Sequence, residues 1–188
     1  RRVLFRSSPF DSLDRDRDGS KKMFLQTAVD FDEIAKVTIA YCEEHGYERI
    51  AVQYTYQEYG VKAANSLERA ADKSSSVSIV DVVPSPPENA SFKRTFDSWE
   101  KLDIDAIILA VQEQGSLRKF LEAEKKSHMA KPVITMNGLH LLDFDNSAYA
   151  NVISIEYFNP FATSPMVQHF VRQYTEKYHE QPNSFAAQ

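Results

Sequence analysis

The chain has 188 residues, 43% of them hydrophobic and 12% aromatic, enough apolar material for a packed core and too much for a disordered or collagen-like chain. Its 22 basic residues against 27 acidic ones give a formal charge of -5, so no global basic field exists to attract nucleic acid or an anionic membrane. The single cysteine, Cys42, excludes an internal disulfide and a cysteine metal cluster, and no apolar run reaches the roughly 18 residues of a membrane span.

Residues 1–7 read RRVLFRS, which resembles the in-frame translation of a short-read sequencing adapter. They are expected to be foreign residues written over a native strand. They carry three arginines, Arg1, Arg2 and Arg6, so removing them takes the charge from -5 to -8. Residues 14–19 (DRDRDG) place Asp14, Asp16 and Asp18 at positions 1, 3 and 5 of an EF-hand loop with Gly19 at the turn. The twelfth position, where calcium needs a bidentate Glu, is Leu25, so the segment is expected to be a solvated charged loop and no metal site.

From Asp30 onward helical and strand periodicities alternate. Phe31, Ile34, Ala35, Thr38, Tyr41 and Cys42 fall at helical spacing between an Asp30 N-cap and a stop at Gly46, as expected for a helix bounded by a capping acid and a glycine. Residues 49–54 (RIAVQY) form the first buried-strand run, followed by a helix carrying Ala63, Ala64, Leu67 and Ala71. Residues 77–83 (VSIVDVV) form the second strand, expected to be broken by Pro84, Pro86 and Pro87. Phe92, Phe96, Trp99 and Leu102 make a helical stripe, residues 106–111 (AIILAV) a third strand, and Leu117, Phe120 and Leu121 mark another helix. Residues 132–136 (PVITM) and 152–158 (VISIEYF) are the fourth and fifth strands. Five apolar strands separated by helices predict an α/β fold: a doubly wound, parallel five-stranded sheet covered on both faces. Beyond a two-proline linker at residues 159–165, Met166, Val167, Phe170, Val171, Tyr174 and Tyr178 form a last amphipathic helix with no strand of its own. The sequence stops at residues 182–188 (PNSFAAQ) in what reads as a helix's first turn, and both ends are expected to be cut from a longer protein.

Reactive constellations are missing from the sequence. Neither GxGxxG nor GxxxxGK[ST] occurs, so the phosphate-cradling turn of a nucleotide enzyme is not formed. There is no GxSxG elbow, and the histidines (His45, His128, His140, His169 and His179) lack HExxH or carboxylate-paired spacing. Response-regulator chemistry needs a phospho-acceptor Asp ending the third strand, where Val111 and Gln112 stand. No catalytic residue and no cofactor is assigned. An open parallel sheet binds ligands at the carboxyl ends of its strands. Those loops hold Tyr56 and Tyr59 after the first strand, Gln112, Glu113 and Gln114 after the third, and Thr135, Asn137 and His140 around the fourth. Amides, hydroxyls and aromatic rings suit reversible recognition of a small polar molecule; ordinary loop composition gives the same pattern.

Residues 47–60 (YERIAVQYTYQEYG), 102–110 (LDIDAIILA), 132–138 (PVITMNG) and 159–188 stand in the order and at the spacing of a known family. The sequence resembles the type I periplasmic binding proteins, of the branched-chain amino acid and receptor ligand-binding kind. The resemblance implies a two-lobed, hinged protein that closes on a small-molecule ligand and presents it to an ABC transporter permease in the membrane. It implies a periplasmic or extracellular monomer, membrane-associated if a lipoprotein, without catalysis or cofactor. The same lobe serves ligand-sensing receptors, which is the rival expectation, with a flavodoxin-like enzyme the more distant one. Residues 29–157 correspond to a complete second lobe, residues 8–28 to a remnant of the first, and residues 158–188 to the crossover and a first-lobe helix. Tyr59 matches the family tyrosine that packs on ligand, and Gln112 and Gln114 fall in the loop where the family supplies another cleft contact; Tyr56 and Thr135 join them as ligand-binding candidates from their place at the carboxyl ends of the strands. Asn137 stands where amino-acid binders place an acid to pair the ligand's ammonium, a charge an amide cannot supply; either the neighbouring Glu113 substitutes for it or the ligand lacks an ammonium.

Overall fold

A computed structural model describes residues 3–6, 23–26, 30–87, 90–136, 152–184 and 186–187. The backbone divides into two compact units, one formed by Phe31–Ile155 and the other by Arg1–Asp30 with Glu156–Gln188.

The larger unit opens with α1 (Phe31–Glu44), whose buried residues Phe31, Ile34, Ala35, Thr38, Ile39 and Cys42 follow the expected helical spacing. Gly46 ends it at φ +68°. Its N–H donates to the Glu43 carbonyl at 3.2 Å and that of Tyr47 to Cys42 at 2.9 Å, the paired bonds of a Schellman stop. Then come β3 (Arg49–Tyr54), α2 (Glu58–Ala71), β4 (Ser78–Pro84), α3 (Lys93–Lys101), β5 (Ala106–Ala110), α4 (Gln114–Ser127), β6 (Val133–Met136) and β7 (Val152–Ile155); β1 and β2 lie in the smaller unit, below. The strands pair in the order β4-β3-β5-β6-β7, and every ladder is parallel, as the alternating pattern predicts.

Two strand limits differ from the sequence expectation. The second strand includes Pro84, which pairs with Tyr54. A proline lacks the N–H of a central strand, but β4 lies at the sheet edge and needs hydrogen bonds on one side only. The last strand stops at Ile155 rather than residue 158, because its partner β6 ends at Met136, opposite Ile155.

The core has two layers around the sheet. On one face Ala51, Ile107, Leu109 and Val133 pack with Phe92, Phe96, Trp99, Leu117, Phe120 and Leu121 of the α3 and α4 region. Phe92 and Phe96 meet Phe120 edge-on at 5.3 and 5.7 Å, the preferred geometry of aromatic pairs. The Trp99 indole, fully buried, donates its N–H to the Asp81 carboxylate at 2.8 Å. On the other face α2 packs against α1 and against β3, β4 and β5. At the amino edge of the sheet Asp105 accepts the backbone N–H groups of Glu48 and Arg49 at 2.9 and 2.8 Å, and the Arg49 guanidinium donates to the Leu102 carbonyl at 2.8 Å. The aspartate of the LDIDAIILA segment therefore ties the start of β3 to β5.

In the smaller unit, β1 (Val3–Arg6) and β2 (Met23–Gln26) pair in parallel, so the residues read as adapter-derived adopt a strand. Three successive apolar side chains, Val3, Leu4 and Phe5, suit a ladder whatever their origin. Here α5 (Pro165–Tyr178) buries none of its residues, although Phe170 meets Phe158 edge-on at 5.7 Å.

Candidate functional site at the carboxyl edge of the sheet

The connection that leaves β3 runs outward to β4, whereas the one that leaves its neighbour β5 runs the other way to β6. That is the topological switch point at which open parallel sheets bind ligands. The loop Thr55–Tyr56–Gln57 leaves β3 there, and Val111–Gln112–Glu113 leaves β5. A third loop begins at Ser85, whose N–H donates to the Tyr54 carbonyl at 2.6 Å.

A close approach fixes the first loop. A Cβ on Gly60 would fall 2.2 Å from the Thr55 carbonyl oxygen, 2.6 Å from its nitrogen and 2.7 Å from Oγ1, distances no side chain tolerates. The glycine of the YG pair lets the first turn of α2 fold directly onto the end of β3. The Gln57 side chain then reaches across to donate a hydrogen bond to a Glu113 carboxylate oxygen, while Ser116 Oγ donates to the other oxygen at 2.9 Å. The two loops are thus laced together over the switch point.

The residues expected to form the site separate into two sets. Tyr56, 73% exposed, and the exposed Gln112 and Gln114 stand at the rim. Tyr59 and Thr135 depart from the expectation of open contact. The Tyr59 ring is buried, meets Phe31 edge-on at 5.1 Å, and its hydroxyl donates to the Met136 carbonyl at 2.9 Å. It lies on the buried side of α2, where the helical stripe takes it inward, and holds the end of β6. Thr135 is also buried; its hydroxyl lies 3.2 Å from Ser154 Oγ and 3.4 Å from the Ile153 carbonyl, so it is engaged with β7. Asn137 and His140 lie outside the described residues.

Sequence reasoning missed Gln53, Gln57 and Ser85. A signal for Gln53 was available: it is the one amide inside the apolar run RIAVQY, and a polar residue at a buried strand position needs a partner. Its Nε2 donates to Ser85 Oγ at 2.8 Å. Beside Ser85 a cavity of about 500 Å³ is lined by Ser85, Pro86, Phe92, Glu113, Ser116 and Lys119. Among the described residues the site shows no reactive pairing. Cys42 is buried on α1 and its thiol is pushed up to about 12 by desolvation, then by the charge of Glu43. Among the described residues no group of three metal-ligating side chains occurs, and no helix is long and apolar enough to cross a membrane.

Comparison with known proteins agrees with this architecture. No curated protein matches the chain by sequence. Among solved structures, an ABC transporter substrate-binding protein from Desulfitobacterium hafniense is 26% identical, with a TM-score of 0.73 over 87% of this chain and 47% of its own. Its complex with Leu superposes with a TM-score of 0.72 at 26% identity, over 90% and 49% of the two chains. A solute-binding protein from R. palustris in complex with benzoate shares the fold at 13% identity, with a TM-score of 0.67 over 87% and 45%. The chain therefore spans about half the length of these solved proteins. A family model described as periplasmic binding protein matches residues 1–188, and with the all-parallel five-stranded lobe and its polar carboxyl-edge loops the chain belongs to the periplasmic binding proteins.

Proposed function

We propose that the chain supplies the second ligand-binding lobe of a solute-binding protein for an ABC importer, and that the rim at the carboxyl edge recognises a small polar metabolite. The cargo is an amino acid, an amide or a carboxylate, held by closure of this lobe against another and delivered to a membrane permease outside the cytoplasm. One observation carries the reading: the loops over the switch point between β4, β3 and β5 are laced by Gln57 and Glu113 and present exposed Tyr56, Gln112 and Gln114 with no nucleophile or paired acid and base among them. Such a surface holds a ligand by hydrogen bonds and ring contact and leaves it unchanged. In this reading Tyr56, Gln112, Gln114 and Asn137 touch the ligand, while Tyr59 and Thr135 set the positions of the strand ends behind them.

A single lobe cannot bury the 70% or more of a ligand's surface that binding sites usually cover, so the 188-residue chain binds weakly. The test is a titration of the isotope-labelled chain with leucine, glutamine and benzoate, followed by amide resonances. Shifts confined to the three loops, with half-saturation on the order of millimolar or above, support the reading. Shifts confined to other surfaces, no shifts at all, tight stoichiometric binding to the lobe alone, or chemical turnover of a probe would overturn it.

A further inference from the structure

The two helical layers of the larger unit carry opposite charge. On one face of the sheet α1 and α2 hold three basic residues against six acidic ones, a net of -3. On the other face α3 and α4 hold seven basic residues against four acidic ones, a net of +3. A chain whose total charge is -5 therefore has one basic side. The total predicts no attraction to an anionic surface only because it averages over both layers.

Pairing within the α3 and α4 layer removes little of that excess. Lys93 is bonded to Asp97 at 3.0 Å, Glu124 is buried, and Lys119 is directed to the Pro87 carbonyl and the Phe92 ring. Arg94, Lys101, Arg118, Lys125 and Lys126 are exposed, and among the described residues no salt bridge joins them to an acid. Only Glu100 and Glu122 on these two helices stand exposed against them. Phe96 and Trp99 take the core side of α3, and helical spacing puts Arg94 and Lys101, seven residues apart, on the side opposite. Arg118 and Lys125 share one side of α4 by the same interval, and Lys126 lines the groove between the helices. Neither helix exposes a large apolar side chain; Val37, Tyr56, Val61, Phe161, Met166 and Tyr178, which do stand exposed, all lie elsewhere.

That last observation selects the kind of partner. A stable protein interface needs an apolar core with aromatic anchors and is depleted in lysine. A lysine-rich face without an exposed ring suits a fluid array of negative charge, which asks for no matching shape. We propose that the α3 and α4 face is a peripheral docking surface for the anionic headgroups of a lipid bilayer, with the acidic α1 and α2 layer turned away from it. Attraction of this kind fades over a Debye length, about 8 Å at physiological ionic strength. The two helical layers lie on the order of 20 Å apart, two helix diameters, across the sheet, so the acidic layer is screened while the basic one is in contact. The proposal goes beyond the solute-binding reading and does not depend on which ligand the lobe takes.

The experiment is co-sedimentation of the 188-residue chain with vesicles of phosphatidylcholine alone or with about a third phosphatidylglycerol. At about 0.1 M salt at least tenfold more chain should sediment with the anionic vesicles, and the difference should vanish near 1 M salt, where the Debye length is about 3 Å. Arg94→Glu with Lys101→Glu on α3, and separately Arg118→Glu with Lys125→Glu on α4, should each weaken binding at least fivefold. Lys36→Glu with Lys73→Glu, the same change of charge on α1 and just after α2, should alter it less than twofold, all variants keeping the parent circular dichroism. Arg1, Arg2 and Arg6 are common to every variant and cannot produce the difference. Equal weakening by all three pairs, which would make the effect one of total charge, overturns the proposal. So do binding to phosphatidylcholine alone, binding that survives about 1 M salt, and no binding to the anionic vesicles. Capture by polyglutamate beads without binding to the vesicles would give the face to an acidic protein instead, and the lipid proposal would fall.

Discussion

Replacing Gly60 by alanine separates two opposed effects at one position. The change gains helix propensity, about 1 kcal/mol at a helix interior and less in a first turn. Against this, the new Cβ would lie 2.2 Å from the Thr55 carbonyl oxygen. Ordinary contact begins at about 3.4 Å, so α2 must retreat from the end of β3 by roughly 1.2 Å, and the atoms met are backbone rather than the end of a flexible side chain. Overpacking of this kind costs about 1–3 kcal/mol. The same retreat stretches the 2.9 Å bond from the Tyr59 hydroxyl to Met136, worth about 1 kcal/mol. The sum predicts a net loss of about 2–3 kcal/mol, read as a lower urea midpoint at unchanged slope by circular dichroism. Gly115→Ala is the matched control: it also lies in the first turn of a helix, α4, and its added Cβ would meet nothing within 4 Å, so it should be neutral or stabilising by up to about 1 kcal/mol. A Gly60→Ala variant as stable as the parent would refute the close-approach account of the YG pair.

Three other outcomes follow from the same contacts. Trp99→Phe keeps the ring packing but removes the donor to Asp81, and should lower unfolding stability by about 2 kcal/mol, measured by the urea midpoint. Because burial raises the Cys42 thiol to about 12 in the folded chain, the folded state holds a proton that the unfolded thiol releases above roughly pH 8.5. Its stabilising contribution is complete below that pH and is lost progressively as pH rises toward the folded value. Cys42→Ala should flatten the alkaline stability profile, and the native thiol should resist a disulfide reagent until the chain is unfolded. Asp32 is held below the usual carboxylate value by the hydrogen bond from Arg69, with Ser66 adding to it. Its contribution is therefore present above the unfolded value of about 3.9 and lost as pH falls through the lower folded one. Urea midpoints of Asp32→Asn and the parent should differ more at pH 7 than at pH 3, where the gap narrows as the unfolded carboxyl takes up its proton.

Much of this architecture follows from local pattern. The stripe Phe31, Ile34, Ala35, Thr38 and Cys42 fixed α1, and the run RIAVQY fixed β3 residue for residue, because period and length are set by neighbours in the chain. Five such runs joined by helices leave a covered parallel sheet as the economical way to bury them. Pro84 was misplaced because a proline's tolerance depends on whether its strand is central or at an edge, which only strand order decides. The same limit governs the site. Spacing brought Tyr56, Tyr59, Gln112, Gln114 and Thr135 to the carboxyl ends of the strands, yet it cannot say which way each side chain turns. Tertiary packing turned Tyr59 toward Met136 and Thr135 toward β7, left Tyr56 exposed, and joined Gln57 to Glu113 and Gln53 to Ser85. Those partners are 77, 19, 56 and 32 residues apart along the chain, and separation on that scale is closed by the core rather than by any local preference.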